Sequence, residues 1–178
     1  MKTGVPAALA GALLGLAACQ PAAVPGADAA AASGAPTDVL KDFEMNDVKS
    51  GVKSMTLISV EGRIYEPKHY ADVDKPFLYF YKEGKESSRL KAPFGRVQTE
   101  THDVDCWGGV TVVSADSSTL TTERLRYDPK LRKIFSSDPV HLDKPDSITD
   151  GIGLETDPEL KTVKIGKQTV HMKKGMAK

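Results

Sequence analysis

His141 and His171 stand thirty residues apart in matching tripeptides, Val140-His141-Leu142 and Val170-His171-Met172. Paired histidines suggest a metal centre, which needs three or four converging ligands. The preceding tripeptide of the same kind, Val110-Thr111-Val112, has Thr in place of His, and no Cys or carboxylate spacing nearby completes a set. These triplets read as exposed polar positions between apolar ones, and no metal is expected. Asp103 and Asp105 share a face of any strand that contains them, as the two acids of a glycoside hydrolase must. Two acids on one strand face otherwise mark its solvent side. Cys106 has the character of a small buried apolar residue rather than a reactive thiol. Ser, His and Asp are scattered without a nucleophile elbow. Gly151-Ile152-Gly153 is too little for a phosphate loop and fits a strand bend or a close backbone approach. The residue types therefore predict neither enzyme nor cofactor.

The one cysteine with a defined chemical setting is Cys19. Lys2 precedes an apolar run, Val5 to Leu16, which is too short to span a bilayer and has the form of an export signal. The run ends Leu16-Ala17-Ala18-Cys19, which resembles the lipobox of bacterial lipoproteins; ordinary secretion with cleavage after a small residue is the alternative. The resemblance implies a diacylated thiol and cleavage before Cys19. One acyl chain holds a protein to a membrane only marginally, at about 0.8 kcal/mol per buried CH₂, whereas two or three hold it effectively permanently. Gln20 to Pro36 is rich in Ala, Pro and Gly and lacks a periodic apolar face, as a tether would. The expected organisation is a signal peptide over 1–18, a lipidated Cys19 with its tether over 19–37, a folded domain over 38–172 and a basic tail over 173–178.

The domain must be built from strands. Met55 to Val60, Pro76 to Tyr81, Val110 to Val113, Leu120 to Asp128, Val140 to Leu142, Ile148 to Asp157 and Thr169 to Met172 are short β-type runs. Turn residues separate them, notably Gly51, Glu83-Gly84-Lys85, Pro93-Phe94-Gly95, Gly108-Gly109 and Ala115 to Ser118. No stretch after Gly51 has a helical period. The thirty-residue step of the Val triplets suggests one unit stacked several times. Because strand side chains alternate, the valines of the triplets would form an inner wall, and Thr111, His141 and His171 an outer ladder. Pro76 to Tyr81 is apolar on both faces, as in a strand covered on both sides or beside a ligand. Lys plus Arg and Asp plus Glu both number 24, so no basic footprint for nucleic acid exists. With two cysteines there is no disulfide framework.

Together these stretches resemble the LptC family. They are Leu90-Lys91-Ala92 with Gly95, Trp107 to Val112, Leu120 to Asp128, Ser136-Ser137-Asp138-Pro139-Val140, and Thr149 to Leu154. Each is only a strand-and-turn pattern; their order and number carry the resemblance, which runs from about Val39 to Met172. It implies an all-β fold, an open twisted β-jellyroll of stacked antiparallel hairpins with an apolar V-shaped groove. It also implies a periplasmic role in lipopolysaccharide export. The groove would shelter lipid A acyl chains, received from the inner-membrane lipopolysaccharide ABC transporter and passed to a LptA-like protein by edge-strand pairing. A scaffold of the same fold that carries no lipid is the alternative. Candidate lining residues are Phe77, Tyr79, Val110, Val112, Leu120, Leu125, Tyr127, Val140, Leu142, Leu154, Val170 and Met172. Candidate partner-edge residues are Val163, Ile165 and Val170, within an edge at Thr162 to Met172. The better-known family members have an N-terminal transmembrane helix where this chain has a lipobox, so attachment through Cys19 is expected, with the inner membrane favoured over the outer.

Overall fold

The computed structural model of the protein describes residues 34–173. In chain order its strands are β1 (Asp38–Lys49), β2 (Val52–Tyr65), β3 (Tyr70–Asp74), β4 (Phe77–Lys82), β5 (Lys85–Lys91) and β6 (Phe94–Gln98). They continue with β7 (Val104–Ser114), β8 (Thr119–Asp128), β9 (Lys133–Asp143), β10 (Ser147–Thr156), β11 (Val163–Ile165) and β12 (Thr169–Met172). One 3-10 turn, Glu66–Lys68, interrupts them. All strands join one antiparallel sheet, as the turn-rich sequence with no long crossover requires. Ser50-Gly51 and Glu83-Gly84 have positive φ at both central residues. That is the two-residue hairpin geometry whose twist matches the strands it joins.

The connectivity is simpler than twelve strands suggest. The two halves of β2 pair with β4 and β3 in turn, so β3 and β4 are one path broken at Lys75-Pro76. In the same way β5 and β6 are one path broken at Ala92-Pro93, and β11 and β12 are one path beside β10. The described residues form an up-and-down meander in which each pass lies beside the one before it.

Most passes bend at a common level. On β1 the bend is at Asp42, with φ 51°, and on the third pass, formed by β3 and β4, at Lys75, with φ 52°. The corners bond to one another, Lys75 N donating to Pro93 O at 2.8 Å and Ala92 N to Pro76 O at 3.2 Å. Farther along, β7 bends at Gly108 and Gly109, with φ 86° and 93°, and β10 at Gly153, with φ 81°. Register shifts fall between Trp107 and Val110, Thr122 and Arg126, and Ile152 and Leu154. An extra residue at such a bulge kinks the strand and resets which side chains face inward. Thus Leu120 and Thr122 point inward before the bend in β8, and Leu125 and Tyr127 after it. The sheet is creased along this line into two facing halves. Across the interior, the Phe80 and Tyr127 rings meet edge to face at 4.8 Å.

Three sequence expectations change. Gly108-Gly109 separates no strands; it bends one. Pro93-Phe94-Gly95 is not a hairpin turn; it is where a pass crosses the crease. The third Val triplet is out of step: Val110 and Val140 both align with Thr122, whereas Val170 aligns with Thr149 and Leu142. The two-residue slip leaves Val170 on the same face, because the strand period is two. It moves His171 one row away from His141.

Candidate functional site

The interior between the two halves holds the apolar core of the described residues. On one half, a continuous row runs Met45, Leu57, Leu78, Leu90, Val112, Leu120, Leu142, Thr149 and Val170, one residue from each successive pass. On the other half a second row runs Ile64, Ala71, Val97, Val104, Tyr127, Ile134, Thr156 and Val163. The sequence produces these rows because each strand alternates and each hairpin keeps its neighbour in register. Both rows face inward and share one core.

Of the expected lining residues, Val110, Val112, Leu120, Leu125, Tyr127, Val140, Leu142 and Leu154 all lie in this buried interior. Phe77 and Tyr79 do not face it. They share the outer face of β4, with ring centroids 4.9 Å apart, while Leu78 and Phe80 point inward. A strand apolar on both faces cannot declare its own phase, and the hairpin register with β5 decides it. Leu90 was legible as the one apolar residue between Arg89 and Lys91, and its pairing with Leu78 sets the phase. Val170 and Met172 lie on the inner face of the last pass, where no described residue covers them; they are 50% and 73% exposed. The row is thus buried through most of its length and open at its C-terminal end. Val163 and Ile165 point into the core, so on β11 the backbone, not these side chains, forms the outer edge.

At the lip opposite the crease, polar contacts join the hairpin tips of the two halves. His102 Nδ1 lies 3.3 Å from Asp47 Oδ1, and Lys49 reaches the carbonyls of Pro129 and Lys130. Arg132 donates to Tyr81 O at 3.1 Å and to Glu159 Oε1 at 3.3 Å. Ser87 Oγ donates to the same Glu159 oxygen at 3.1 Å. No sequence signal reveals these contacts, because each joins residues more than twenty-five positions apart.

The outer surface supplies no reaction centre. His141 Nδ1 lies 2.7 Å from Asp150 Oδ1, and no group of three potential metal ligands occurs among the described residues. Asp103 pairs with Arg126 at 3.0 Å. Asp105 joins an outer row of alternating charge, Arg63, Asp72, Arg96, Asp105 and Arg126. Burial holds its carboxyl above the usual range despite Arg126 beside it. Cys106 is buried, and burial pushes its thiol up to about 12, so it is protonated and unreactive at neutral pH. Cys19 and residues 20–33 of its tether lie outside the described residues, while Thr37 N already donates to Ile64 O at 2.7 Å. Among the described residues no helix is long and apolar enough to cross a membrane.

The sequence matches the family model LptC, described as lipopolysaccharide-assembly, LptC-related, over residues 6–171. Among solved structures, the fold is similar to that of LptH, the LptA homologous periplasmic component of the conserved lipopolysaccharide transport device from Pseudomonas aeruginosa. The TM-score is 0.51 at 10% sequence identity, over 64% of this chain and 82% of that one. At that identity the likeness speaks for the fold alone. No curated protein matches the sequence.

Proposed function

Because the chain belongs to the LptC-related family of lipopolysaccharide-assembly proteins, we propose that it carries lipopolysaccharide through the periplasm with the acyl chains held between its two creased half-sheets. The family's role is lipopolysaccharide transport and is not catalytic. The observation that carries the finer reading is the row from Met45 to Val170, apolar at every pass except Thr149 on β10, which crosses the whole sheet. An acyl chain leaving water gains about 0.8 kcal/mol for each buried CH₂. A row of similar side chains offers similar sites in series, so a chain can advance without falling into one deep trap. The exposed end at Val170 and Met172 fits the side from which the lipid leaves.

On this reading the backbone of β11 and β12 receives a strand from a LptA-like protein, an edge pairing worth about 1 kcal/mol per hydrogen bond. The first pass, β1, faces the inner-membrane transporter. A lipid on Cys19 holds the protein at a membrane, with the inner membrane favoured. The test is photocrosslinking in cells from a photoreactive amino acid at Val112 or Val140, with the outward Thr111 as control. Lipopolysaccharide adducts from the two inward positions alone support carriage. Their absence in a protein that folds and localises overturns it.

A scaffold that carries no lipid is favoured by one observation: Leu57, Leu78, Leu90, Val112 and Leu120 are fully buried against protein, so the interior is already filled. The same photocrosslinking separates the two readings.

A further inference from the structure

A close-packed interior admits a second apolar guest only by displacing side chains or by parting the half-sheets. The crease is built for the second course, with Gly108, Gly109 and Gly153 in backbone conformations that side chains disfavour. The lip must then release. Its contacts are unevenly distributed along the molecule. They tie the tips formed by β1–β2 and β4–β5 to the tips of the other half, whereas Val170 and Met172 on the last pass remain exposed.

The connection from β10 to β11, residues 157–162, is a preformed piece of this closure. The Asp157 carboxylate accepts from Lys161 N at 2.8 Å and Thr162 N at 3.0 Å, and Leu160 N donates to Asp157 O at 3.1 Å. These bonds make the loop a rigid cap. At its apex Leu160 is 1% exposed within the core, yet its backbone has φ 56°. A branched side chain is held in that region only where surrounding contacts compel it. Next to it, the Glu159 side chain is 8% exposed and lies between Arg132 at 3.3 Å and Lys82 at 4.0 Å, with the Ser87 hydroxyl donating to it. Thus an apolar plug and a buried carboxylate latch occupy consecutive positions, and the latch partners lie on both halves.

We propose that residues 157–162 are a lid over the interior, with Leu160 the plug and Glu159 the latch, and that releasing Glu159 from Arg132, Lys82 and Ser87 admits lipid between the half-sheets. This rests on the carrier reading above. Glu159 suits a reversible latch. A buried carboxylate is stable only while its partners remain, so the closed state holds firmly but yields as a unit once one partner is drawn away.

The test is a double variant, Ser87→Cys with Glu159→Cys, bridged through mixed disulfides by a short bis-methanethiosulfonate reagent that makes up for the lost reach of the glutamate, in the full-length protein in cells, with a photoreactive amino acid at Val112. Cys106 is too deeply buried to compete for the new thiols. With the bridge formed, lipopolysaccharide adducts should fall by about tenfold or more, equivalent to about 1.4 kcal/mol, and dithiothreitol should restore them. Undiminished adducts in the bridged variant overturn the lid and leave carriage standing. Adducts absent from the wild type and from both the bridged and the reduced variant overturn carriage and the lid with it. A second measurement needs no lipid: alkylation of Cys106 in the purified full chain, which requires the interior to open. Glu159→Gln should speed it by about tenfold, the effect of weakening a hydrogen bond to a charged group. Val97→Ala, a core cavity on β6, which carries none of the latch partners, should speed it far less for the same loss of melting temperature. Alkylation that follows melting temperature alone overturns the proposal.

Discussion

Asp105, Cys106 and Tyr127 show how position overrides residue type. Cys106 is an inert piece of the core because burial keeps its thiol protonated. Tyr127 fills the centre with its ring, but its hydroxyl is buried with no protein hydrogen-bond partner, and burial pushes its pKa up to about 12. Removing an unpartnered hydroxyl removes a desolvation cost, so Tyr127→Phe should leave stability unchanged or raise it by about 1 kcal/mol; urea unfolding measures this. Asp105 behaves differently from its neighbours. Arg63 holds Asp74 below the usual carboxylate range, and Lys41 and Arg63 do the same for Glu61. Those two contribute stability above their unfolded pKa and lose it as pH falls through the lower folded value. Asp105, raised by burial, favours the folded state only where it is protonated, and ionisation costs stability above its folded pKa. Asp105→Asn should therefore raise the melting temperature at pH 7 and change it little at about pH 3, where both states already hold the proton. A fall at pH 7 would mean that the attraction of Arg126 and Arg96 outweighs burial.

Among the elements, energetic weight should decline along the apolar row towards the last pass. Leu120 is fully buried there, and Leu120→Ala should cost about 2–5 kcal/mol. Val170, half exposed on the same row, should tolerate Ala within about 0.5 kcal/mol. Equal losses at both sites in urea titrations would show that the last pass is covered in solution. The edge depends on Gly151. A Cβ there would lie 2.3 Å from Ile165 Cγ2 and 2.8 Å from Gly166 O. Gly151→Ala should detach β11 and β12 while β7 to β9 keep their protection, which hydrogen exchange resolves strand by strand. The glycine pair Gly151 and Gly153 was legible as a strand bend. A close backbone approach was legible there too, and Gly166 O makes it; that the approaching segment is the edge strand was not, because Ile165 and Gly166 reach Gly151 through pairing set by the following loop.

At the scale of the molecule, the meander places each pass beside its sequence neighbour, and among the described residues distant segments meet through the core, the lip and the lid. Removing residues 163–178 takes Val163 and Ile165 from the periphery of the core but leaves the rows between β2 and β10. The shortened protein should still fold, with a melting temperature lower by several degrees, and should lose pairing with a LptA-like partner in pull-down. Retained pairing would place the partner edge elsewhere, with β1 the remaining edge.

What the sequence determined by itself is local. Alternation with period two, glycine-bearing turns and the absence of helical periods specify short antiparallel hairpins; Leu120, Leu125 and Leu142 declare their inward face because polar residues flank them, and Val110, Val112 and Val140 because Thr111 and His141 alternate with them. Pro76 to Tyr81 does not, since either phase buries apolar groups; only pairing with β2 and β5 turned Leu78 and Phe80 inward and left Phe77 and Tyr79 outside. The crease, too, belongs to the tertiary structure. Gly108-Gly109, Pro93 and Gly153 look like separate interruptions along the chain, and they become one line only when the passes lie side by side. The lip is most remote from the sequence. Glu159, Arg132 and Ser87 are ordinary polar residues until the two half-sheets face each other, because a charge acquires the energetics of burial only from what folding packs around it.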